Sequence, residues 1–240
     1  MLSIVIPARN EEKRIPPMLE AYGRFFSEKS KEGLKNEIVV VINNSDDNTL
    51  EVVKKFSKRY NNIKYINLDP GGKGFATIMG FKEILNNPES DLIGFVDADM
   101  STRPEDFYDL YKNIGNYSGI IASRWAIGAK VERSMGKWIR SRGFNFLTRA
   151  LFLFPYKDTQ CGAKIFKREV IEKIVHHIEI PEWAFDVNIL YLCKKHGFKI
   201  REYPTIWEDK DGSKIQRGLK VPIQMGGGII RLRLLNSPFE

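Results

Sequence analysis

An α/β fold with a mainly parallel sheet and helices on both faces is the fold class that the sequence predicts. Short apolar runs rich in Val and Ile alternate along the first half of the chain with stretches whose apolar residues recur at helical spacing. Such alternation predicts right-handed βαβ units, which make the strands parallel and cover both faces of the sheet. One apolar run also ends in two aspartates, as expected where ligands gather at the carboxyl edge of such a sheet.

Five strands are predicted in the first half of the chain. Each is a short β-branched run of the kind that parallel sheets bury. After the second run, "DDNTLEVVKKFSKRY" predicts a helix, because Val52, Val53, Phe56 and Tyr60 recur at helical spacing. The five predicted strands are 2–7 (LSIVIP), 37–43 (EIVVVIN), 63–68 (IKYINL), 91–99 (DLIGFVDAD) and 118–123 (SGIIAS).

The second half of the chain is less regular. Residues 136–156 predict a helix with one apolar stripe, made of Phe144, Leu147, Leu151 and Phe154. Residues 182–197 predict a helix that is buried on one face and ends at a glycine, and residues 198–207 predict a strand. Three successive glycines in the tail predict irregular structure there.

Composition and charge indicate a folded chain with a basic surface. The 240 residues, of which 42% are hydrophobic, are enough for one substantial α/β core. A net charge of +8 suits an anionic partner, namely nucleic acid, a phosphorylated substrate or an acidic membrane surface, although a merely lysine-rich surface would give the same balance. The chain has no basic motif interleaved with aromatic residues, so we do not expect it to bind nucleic acid.

The cysteines and the apolar runs indicate the cellular compartment of the protein. Cys161 and Cys193 lie far apart and lack metal-ligand spacing, so we expect reduced thiols in a cytosolic compartment. The first residues lack the basic start of a signal peptide and turn polar after Ile6. No apolar run is long enough to predict a transmembrane helix. These observations together predict a cytoplasmic protein.

Two aspartates, Asp97 and Asp99, end the fourth predicted strand. Residues i and i+2 of an extended chain point to the same side, so both carboxylates should face one crevice at the sheet edge. Like charges this close repel each other unless a cation lies beside them. Mg²⁺ or Mn²⁺ holding an anionic substrate group is the natural cation for such a pair, and a structural loop or helix cap is the alternative.

Eight segments of the chain resemble the family 2 glycosyltransferases, which have the GT-A (Rossmann-like) fold. Within that family the chain is most similar to the polyprenyl-phosphate sugar synthases, on the side of the dolichyl-phosphate glucosyltransferases. The resemblance covers residues 3–213 and depends on the order and spacing of the segments more than on any one of them. The segments are SIVIPARNEE, NNSDDNT, GGKGFA, VDADMST, IASR, DTQCGAKIF, WAFDVNILYLCKKHGF and GSK.

The resemblance implies a nucleotide site on the loops that follow the first strands. Asn10 and Glu11 could instead only start a helix, and Lys73 could be an ordinary turn lysine in "PGGKG". Relatives usually carry two acids after the second strand, where this chain has Ile42 and Asn43. The residues implied to contact the nucleotide are Pro7, Ala8, Arg9, Glu11, Asn43, Lys73 and Asp97.

Asn43 carries a prediction about the donor base. An amide can accept a hydrogen bond from uracil N3–H and donate one to a neighbouring uracil carbonyl, whereas it meets the two adjacent donors of guanine less well than a carboxylate does. We therefore expect UDP to bind more tightly than GDP, and Asn43→Asp to narrow the gap. The alternative is that Asn43 only caps its loop and that the backbone reads the base.

The catalytic residues implied by the resemblance are Asp99, Asp186 and Arg124. Asp97 and Asp99 match the D-x-D motif that holds the divalent cation, Mg²⁺ or Mn²⁺, at the donor diphosphate. Arg124 matches an arginine that points at phosphates, and Asp186 falls where many inverting members keep a catalytic base. A phosphate acceptor is already an anion, so Asp186 could instead hold a sugar hydroxyl or a basic side chain, or be a buried structural acid.

The acceptor and sugar residues are implied in the same way. Lys137, Arg140 and Ser141 fall near the acceptor phosphate, although a solvated helix face would carry the same basic residues. Asp158 and Gln160 would line the sugar pocket, because hydroxyl-rich substrates need carboxylate and amide partners.

The sequence thus predicts a metal-dependent, inverting hexosyltransferase that uses a nucleoside diphosphate sugar, UDP-sugar before GDP-mannose, and a polyprenyl (dolichyl) phosphate acceptor. The basic aromatic segment from Lys137 to Phe154 and the apolar tail predict peripheral contact with the cytoplasmic face of a membrane. A soluble GT-A transferase with a small-molecule or protein acceptor, and a sugar-nucleotide-binding module without turnover, remain the alternatives. We expect a single domain over 1–240, divided into a nucleotide and metal half (1–123), an acceptor and sugar half (124–218) and a tail (219–240).

Overall fold

The computed structural model describes residues 1–69, 71–132, 135–178, 184–208 and 220–235. Strands and helices alternate through the first part of the chain, as the hydrophobic pattern predicted. The strands are β1 (Leu2–Ala8), β2 (Asn36–Asn43), β3 (Ile63–Leu68), β4 (Leu92–Val96), β5 (Gly119–Ser123), β6 (Lys130–Glu132), β7 (Ala163–Lys167), β8 (Ile200–Pro204) and β9 (Ile206–Glu208). The helices are α1 (Ile15–Lys31), α2 (Thr49–Arg59), α3 (Lys73–Leu85), α4 (Pro104–Asn113), α5 (Met135–Phe152), α6 (Arg168–Ile174), α7 (Phe185–Lys195) and α8 (Lys220–Leu235).

A seven-stranded sheet with the order β3-β2-β1-β4-β7-β5-β8 lies at the centre of the fold. Its first four strands run parallel, and Val5 of β1 lies between Val39 of β2 and Phe95 of β4. β7 is antiparallel to both of its neighbours, and β8 is parallel to β5. A small parallel pair, β6 with β9, forms a second sheet. The prediction of a mainly parallel α/β sheet is therefore confirmed.

Helices cover both faces of the large sheet, because alternate residues of each strand point to opposite sides. On one face Ile4 and Ile6 of β1 belong to a core with Tyr22 and Phe26 of α1. On the other face Val5 joins residues of α3, α6 and α7 in a second core. The central strands are thus buried on both sides, which explains their nearly continuous apolar sequences.

Two strand predictions need correction, and one strand was not predicted. β4 ends at Val96, so Asp97 and Asp99 lie in the turn after the strand and not on an extended segment. The single strand expected at 198–207 is two strands, because the chain leaves the large sheet at Thr205 and pairs with β6, where the amide of Lys130 donates to the Thr205 carbonyl at 3.1 Å. The motif "GAKIFK" contains a strand, β7, that the hydrophobic pattern did not predict.

The helices of the second half also differ from expectation. α5 ends at Phe152, before Leu153 with its φ of 51°, so Phe154, which was predicted to belong to the apolar stripe, lies beyond the helix. Leu147, another residue of that stripe, is 43% exposed. The prediction of an irregular tail is wrong, because residues 220–235 form α8. Ile229 and Leu232 of α8 are buried in a third core, and this packing outweighs the low helix propensity of the glycines.

No helix within the described ranges is both long and apolar enough to span a bilayer. Strands on both sides of residue 123 contribute to the one large sheet, since β7 and β8 from the second half flank β5. The division of the chain into functional halves stays a prediction.

Candidate active site

Asn43 ties together the loops at the carboxyl edge of the sheet. Its side chain is 2% exposed, and its Nδ2 donates to the carbonyl of Ala8 at 3.1 Å. The amide of Gly72 donates to Asn43 Oδ1 at 3.0 Å. Gly72 has a φ of 129°, in the region that favours glycine. Both ends of the Asn43 amide thus bind backbone, and this geometry fits the loop-capping alternative; contact with a base stays a prediction.

The end of β1 and the loop that follows it present one exposed residue among those implied to bind nucleotide. Pro7, Ala8 and Glu11 are buried, whereas Arg9 is exposed. Glu11 forms an ion pair with Arg14 at 2.6 Å, and its amide donates to Thr49 Oγ1 at 2.8 Å. Glu11 therefore holds the start of the following helix, as the alternative interpretation allowed, and Arg9 is the residue of this group best placed to meet a ligand.

Four charged side chains form a line of alternating sign beside this edge. Lys73 Nζ lies 2.6 Å from Asp97 Oδ1 and 3.7 Å from Asp186 Oδ2. Asp186 Oδ1 in turn accepts from Lys164, which is fully buried and also donates to the carbonyl of Cys161 at 2.6 Å. Asp97 and Lys73 are about one-third exposed, at 35% and 39% of their side chains. The outer pair of the line is therefore accessible, and the inner pair is not.

The protonation preferences of these groups follow from burial and from their neighbours. Burial raises the pKa of Asp97, and Asp99 and Asp186 add to this effect against the opposing charge of Lys73. Burial acts to lower the pKa of Lys73, but Asp97 and Asp186 outweigh it and raise the pKa above its ordinary value.

For Asp186, burial acts to raise the pKa, and the charges of Lys164 and Lys73 outweigh it, so the pKa falls below the ordinary value. A carboxylate with a lowered pKa is a weak proton acceptor. It is therefore a poor general base, since general-base catalysis works best when the pKa of the base lies near the working pH. The geometry of Asp186 fits the role of holding lysines better than that of a catalytic base.

Arg124 and Asp158 bind each other. Arg124 Nε and Nη2 donate to the two oxygens of Asp158 at 2.6 and 2.8 Å, and the backbone amide of Arg124 donates at 3.0 Å. Both side chains are buried. Burial opposes the charged form of Asp158, but Arg124 outweighs it and holds the pKa of Asp158 below its usual range. Asp158 is therefore enclosed by its contacts with Arg124 in this structure. The predicted roles of Asp158 at the sugar and of Arg124 at a phosphate stay predictions.

The remaining predicted residues lie around this pair or on α5. The backbone amide of Gln160 donates to Asp158 Oδ1 at 3.2 Å. Ser141 lies partly buried on α5. Lys137 and Arg140 belong to the same helix, but the structure describes only their backbone. Their roles at the acceptor phosphate therefore stay predictions.

Three residues of this region were missed by sequence reasoning. A Cβ on Gly162 would fall 2.0 Å from Asp97 Oδ2, so only glycine allows the aspartate its position. Lys164 was detectable as a lysine inside the apolar run "AKIF". Asn145 is buried and accepts from the Thr159 amide and hydroxyl at 3.1 and 2.8 Å, while its Nδ2 has no hydrogen-bond partner in the described part of the chain.

The oxygen atoms of Asp97 and Asp99 suit a hard divalent cation. Among the described residues, no three acidic, histidine or cysteine side chains converge as a complete metal cage. Mg²⁺ is usually held by one or two carboxylates together with substrate phosphates and water, so two aspartates are enough for a cation that arrives with a diphosphate. The donor set therefore fits the metal that the D-x-D motif implies.

The mostly parallel sheet with charged residues at its carboxyl edge fits the GT-A class of glycosyltransferases. The family model described as "Glycosyl transferase family 2" matches residues 3–175. "Dolichyl-phosphate beta-glucosyltransferase" of Dictyostelium discoideum is 34% identical over 245 residues, which cover 97% of this chain and 73% of that protein. The protein of the same name from Homo sapiens is 31% identical over 251 residues, with 97% and 75% covered. The chain belongs to glycosyl transferase family 2.

Solved structures agree on the fold. Glucosyl-3-phosphoglycerate synthase from Mycobacterium tuberculosis, in complex with UDP, superposes with a TM-score of 0.69 at 14% identity and covers 99% of this chain and 82% of that chain. The same enzyme in complex with Mn²⁺, UDP-glucose and glycerol 3-phosphate gives a TM-score of 0.68 at 16% identity, with 98% and 79% covered. The expected GT-A fold is confirmed.

Proposed function

We propose that the protein is an inverting glycosyltransferase that moves a hexose from a UDP-sugar to a polyprenyl (dolichyl) phosphate. The observation that carries this proposal is the 34% identity, over 97% of the chain, to a protein named dolichyl-phosphate beta-glucosyltransferase. Glucose is accordingly the hexose we propose. The mycobacterial structural neighbour, solved with UDP-glucose, supports a UDP-sugar as the donor.

The charges of the site fit the chemistry of an anionic acceptor. An acceptor phosphate oxygen would attack the anomeric carbon from the side opposite the departing UDP, forming one C–O bond as the other breaks, with the electron pair leaving on UDP. This attack inverts the anomeric centre and needs no proton removed, which agrees with the lowered pKa of Asp186. When bound at Asp97 and Asp99, a divalent cation would offset the charge of the leaving diphosphate.

Peripheral contact with the cytoplasmic face of a membrane is the second part of the proposal. Arg142, Phe146, Arg149 and Leu153 follow one another at spacings of four, three and four residues, so they share one side of α5 and its end. All four are exposed, Phe146 by 75% and Leu153 by 77%. α8 packs against α5 and exposes Ile230 and Arg231. Exposed apolar residues flanked by arginines suit the surface of an anionic bilayer, where the lipid acceptor lies.

Transfer of label from a nucleotide sugar to lipid tests the reaction. We expect radiolabel from UDP-glucose to enter the organic phase with polyprenyl phosphate and Mg²⁺ or Mn²⁺, and GDP-mannose to give less product. Polyprenol without phosphate is the matched acceptor control and should give no product. Label that appears only in water-soluble acceptors would instead support the soluble transferase, and tight UDP-glucose binding without any transfer would support the binding module.

Metal removal tests the role of the two aspartates. Chelation should abolish transfer, and Asp99→Ala should not recover with added Mn²⁺, because the cation would lose one of its two carboxylates. Asp109→Ala, at an exposed aspartate paired with Lys112, is the control and should keep wild-type activity. Wild-type activity of Asp99→Ala would show that the aspartate is structural.

Vesicle co-sedimentation tests the membrane surface. Binding should require anionic lipid and weaken in salt, because attraction between the arginines and lipid headgroups is screened. The double variant Phe146→Ser, Leu153→Ser should sediment less with vesicles, whereas Tyr117→Ser, at an exposed residue outside α5 and α8, should not change. Equal sedimentation of the double variant and the wild type would rule out this surface.

A further inference from the structure

Lys73 is the movable cation of the charged line at the sheet edge. It is the first residue of α3, directly after the glycine turn that Asn43 holds. Its side chain is partly exposed, and its ammonium group contacts Asp97 closely and Asp186 more distantly. Lys164, in contrast, is fully buried between Asp186 and the carbonyl of Cys161. Of the two lysines, Lys73 is therefore the one that can leave its carboxylate.

The surroundings of Asp97 make a metal compete with this lysine. Oxygen Oδ2 packs against Gly162, where a Cβ would come within 2.0 Å, and Oδ1 carries the ammonium group of Lys73. A divalent cation that binds Oδ1 must either displace Lys73 or lie beside a like charge. Like charges in a partly desolvated site repel strongly, so either route weakens binding of the metal alone.

We propose that Lys73 is the counter-ion of Asp97 in the free protein. The metal replaces Lys73 at Asp97 only when a nucleoside diphosphate binds and pairs with the Lys73 ammonium group. The inference rests on the proposed function, because it assumes a donor with a diphosphate. The diphosphate supplies negative charge to both cations, and so it removes the repulsion that the metal alone would meet. Metal and nucleotide consequently bind together, each raising the affinity for the other by the same factor.

Calorimetric titration of Mn²⁺, with and without UDP, tests this coupling directly. In the wild type, UDP should raise the affinity for Mn²⁺ by at least about tenfold, within the usual range of coupling between two sites. In Lys73→Met, Mn²⁺ alone should bind at least about tenfold more tightly than to the wild type, because its competitor is gone. UDP should then raise the affinity for Mn²⁺ by a smaller factor than in the wild type, because only the direct contact between metal and diphosphate remains. Lys73→Arg keeps the charge and should keep the coupling.

Lys82→Met is the matched control, because Lys82 is an exposed lysine on the same helix α3. It should titrate like the wild type. Circular dichroism and an unfolding curve verify that each variant is folded. If Lys73→Met binds Mn²⁺ alone no more tightly than the wild type and keeps the full effect of UDP, the counter-ion inference is overturned.

These titrations contain neither lipid nor sugar, so they separate this inference from the proposed reaction. A wild-type result in Lys73→Met overturns the counter-ion role while label transfer to polyprenyl phosphate still stands. Strong coupling that falls in Lys73→Met, without any label transfer, supports the counter-ion role and contradicts the reaction. Failure of every form to bind Mn²⁺, even with UDP, overturns both the inference and the metal site.

Discussion

Two ion pairs of the site differ in burial and geometry, although each joins one base to one acid. They are the Arg124–Asp158 pair and the Lys73–Asp97 pair. Arg124 and Asp158 are buried and share two side-chain hydrogen bonds, with a third from the backbone. Lys73 and Asp97 share one contact of 2.6 Å and are each more than one-third exposed. A bidentate buried pair is fixed in one arrangement, whereas a single contact at the surface can exchange partners.

This difference separates structural charge from charge available to a ligand. The resemblance to the family implied a site role for both Asp158 and Asp97. In the structure, Asp158 also accepts from the amide of Gln160, so its loop is built around the carboxylate. Asp97 instead lies at the end of a line of charges that opens to solvent. The fixed pair should govern stability, and the exchangeable pair should govern ligand binding.

Breaking the fixed pair should have the largest effect. Asp158→Ala leaves the guanidinium group of Arg124 buried without its carboxylate, and such changes cost about 3–5 kcal/mol of unfolding free energy. Denaturant unfolding monitored by circular dichroism measures the loss. Asp109→Ala breaks an exposed pair with Lys112 and should cost about 0–1 kcal/mol. A loss for Asp158→Ala no larger than that of the control would contradict the distinction between the two pairs.

The pH dependence of stability sharpens the comparison with a smaller effect. Arg124 outweighs burial and lowers the pKa of Asp158 in the folded protein, so the folded state releases this proton more readily than the unfolded state does. The stabilisation is fully present above the unfolded carboxyl pKa of about 3.9, and it is lost as the pH falls through the lowered folded pKa.

We therefore expect the difference in unfolding free energy between wild type and Asp158→Asn to be constant from about pH 7 to pH 5 and to shrink below about pH 4. Denaturant titrations across this range measure the difference. Asp109→Asn, at the exposed pair, serves as the control and should show little change. A difference between wild type and Asp158→Asn that grows as the pH falls would reverse the sign of the argument.

The first half of the fold was predictable because its signals are local. Buried β-branched strands and helical periodicity depend on residues within one element, and β1, β2 and β3 lie within one residue of their predicted bounds. The strand β7 was missed because its place between β4 and β5 depends on pairing with distant strands. α8 was missed because packing of Ile229 and Leu232 decides its structure against the local preference of three glycines.

The proximity of three predicted site residues could be expected from the sequence, but the partner of each charged side chain could not. The family motifs implied that Asp97, Lys73 and Asp186 belong to one site, and in the structure these three side chains lie next to one another in the line of charges. Which acid pairs with which base depends on side-chain burial, which sequence spacing does not reveal. The pairing of Arg124 with Asp158 joins residues 34 positions apart, and no local pattern indicates it.

The dependence on salt is the smallest expected effect and distinguishes the pairs by exposure. At low ionic strength Lys73→Met should cost about 1 kcal/mol or less, as partly exposed pairs do. In about 1 M NaCl the screening length falls to about 3 Å, so the cost should shrink towards zero. Arg124→Met leaves a buried carboxylate unpaired. Its cost in unfolding free energy should be the same, within error, at both salt concentrations, because solvent ions do not reach Asp158. Unfolding curves of the wild type and both variants at the two salt concentrations measure these differences. If salt leaves the cost of Lys73→Met unchanged, the Lys73–Asp97 pair is also fixed, and a metal could not readily displace Lys73 from Asp97.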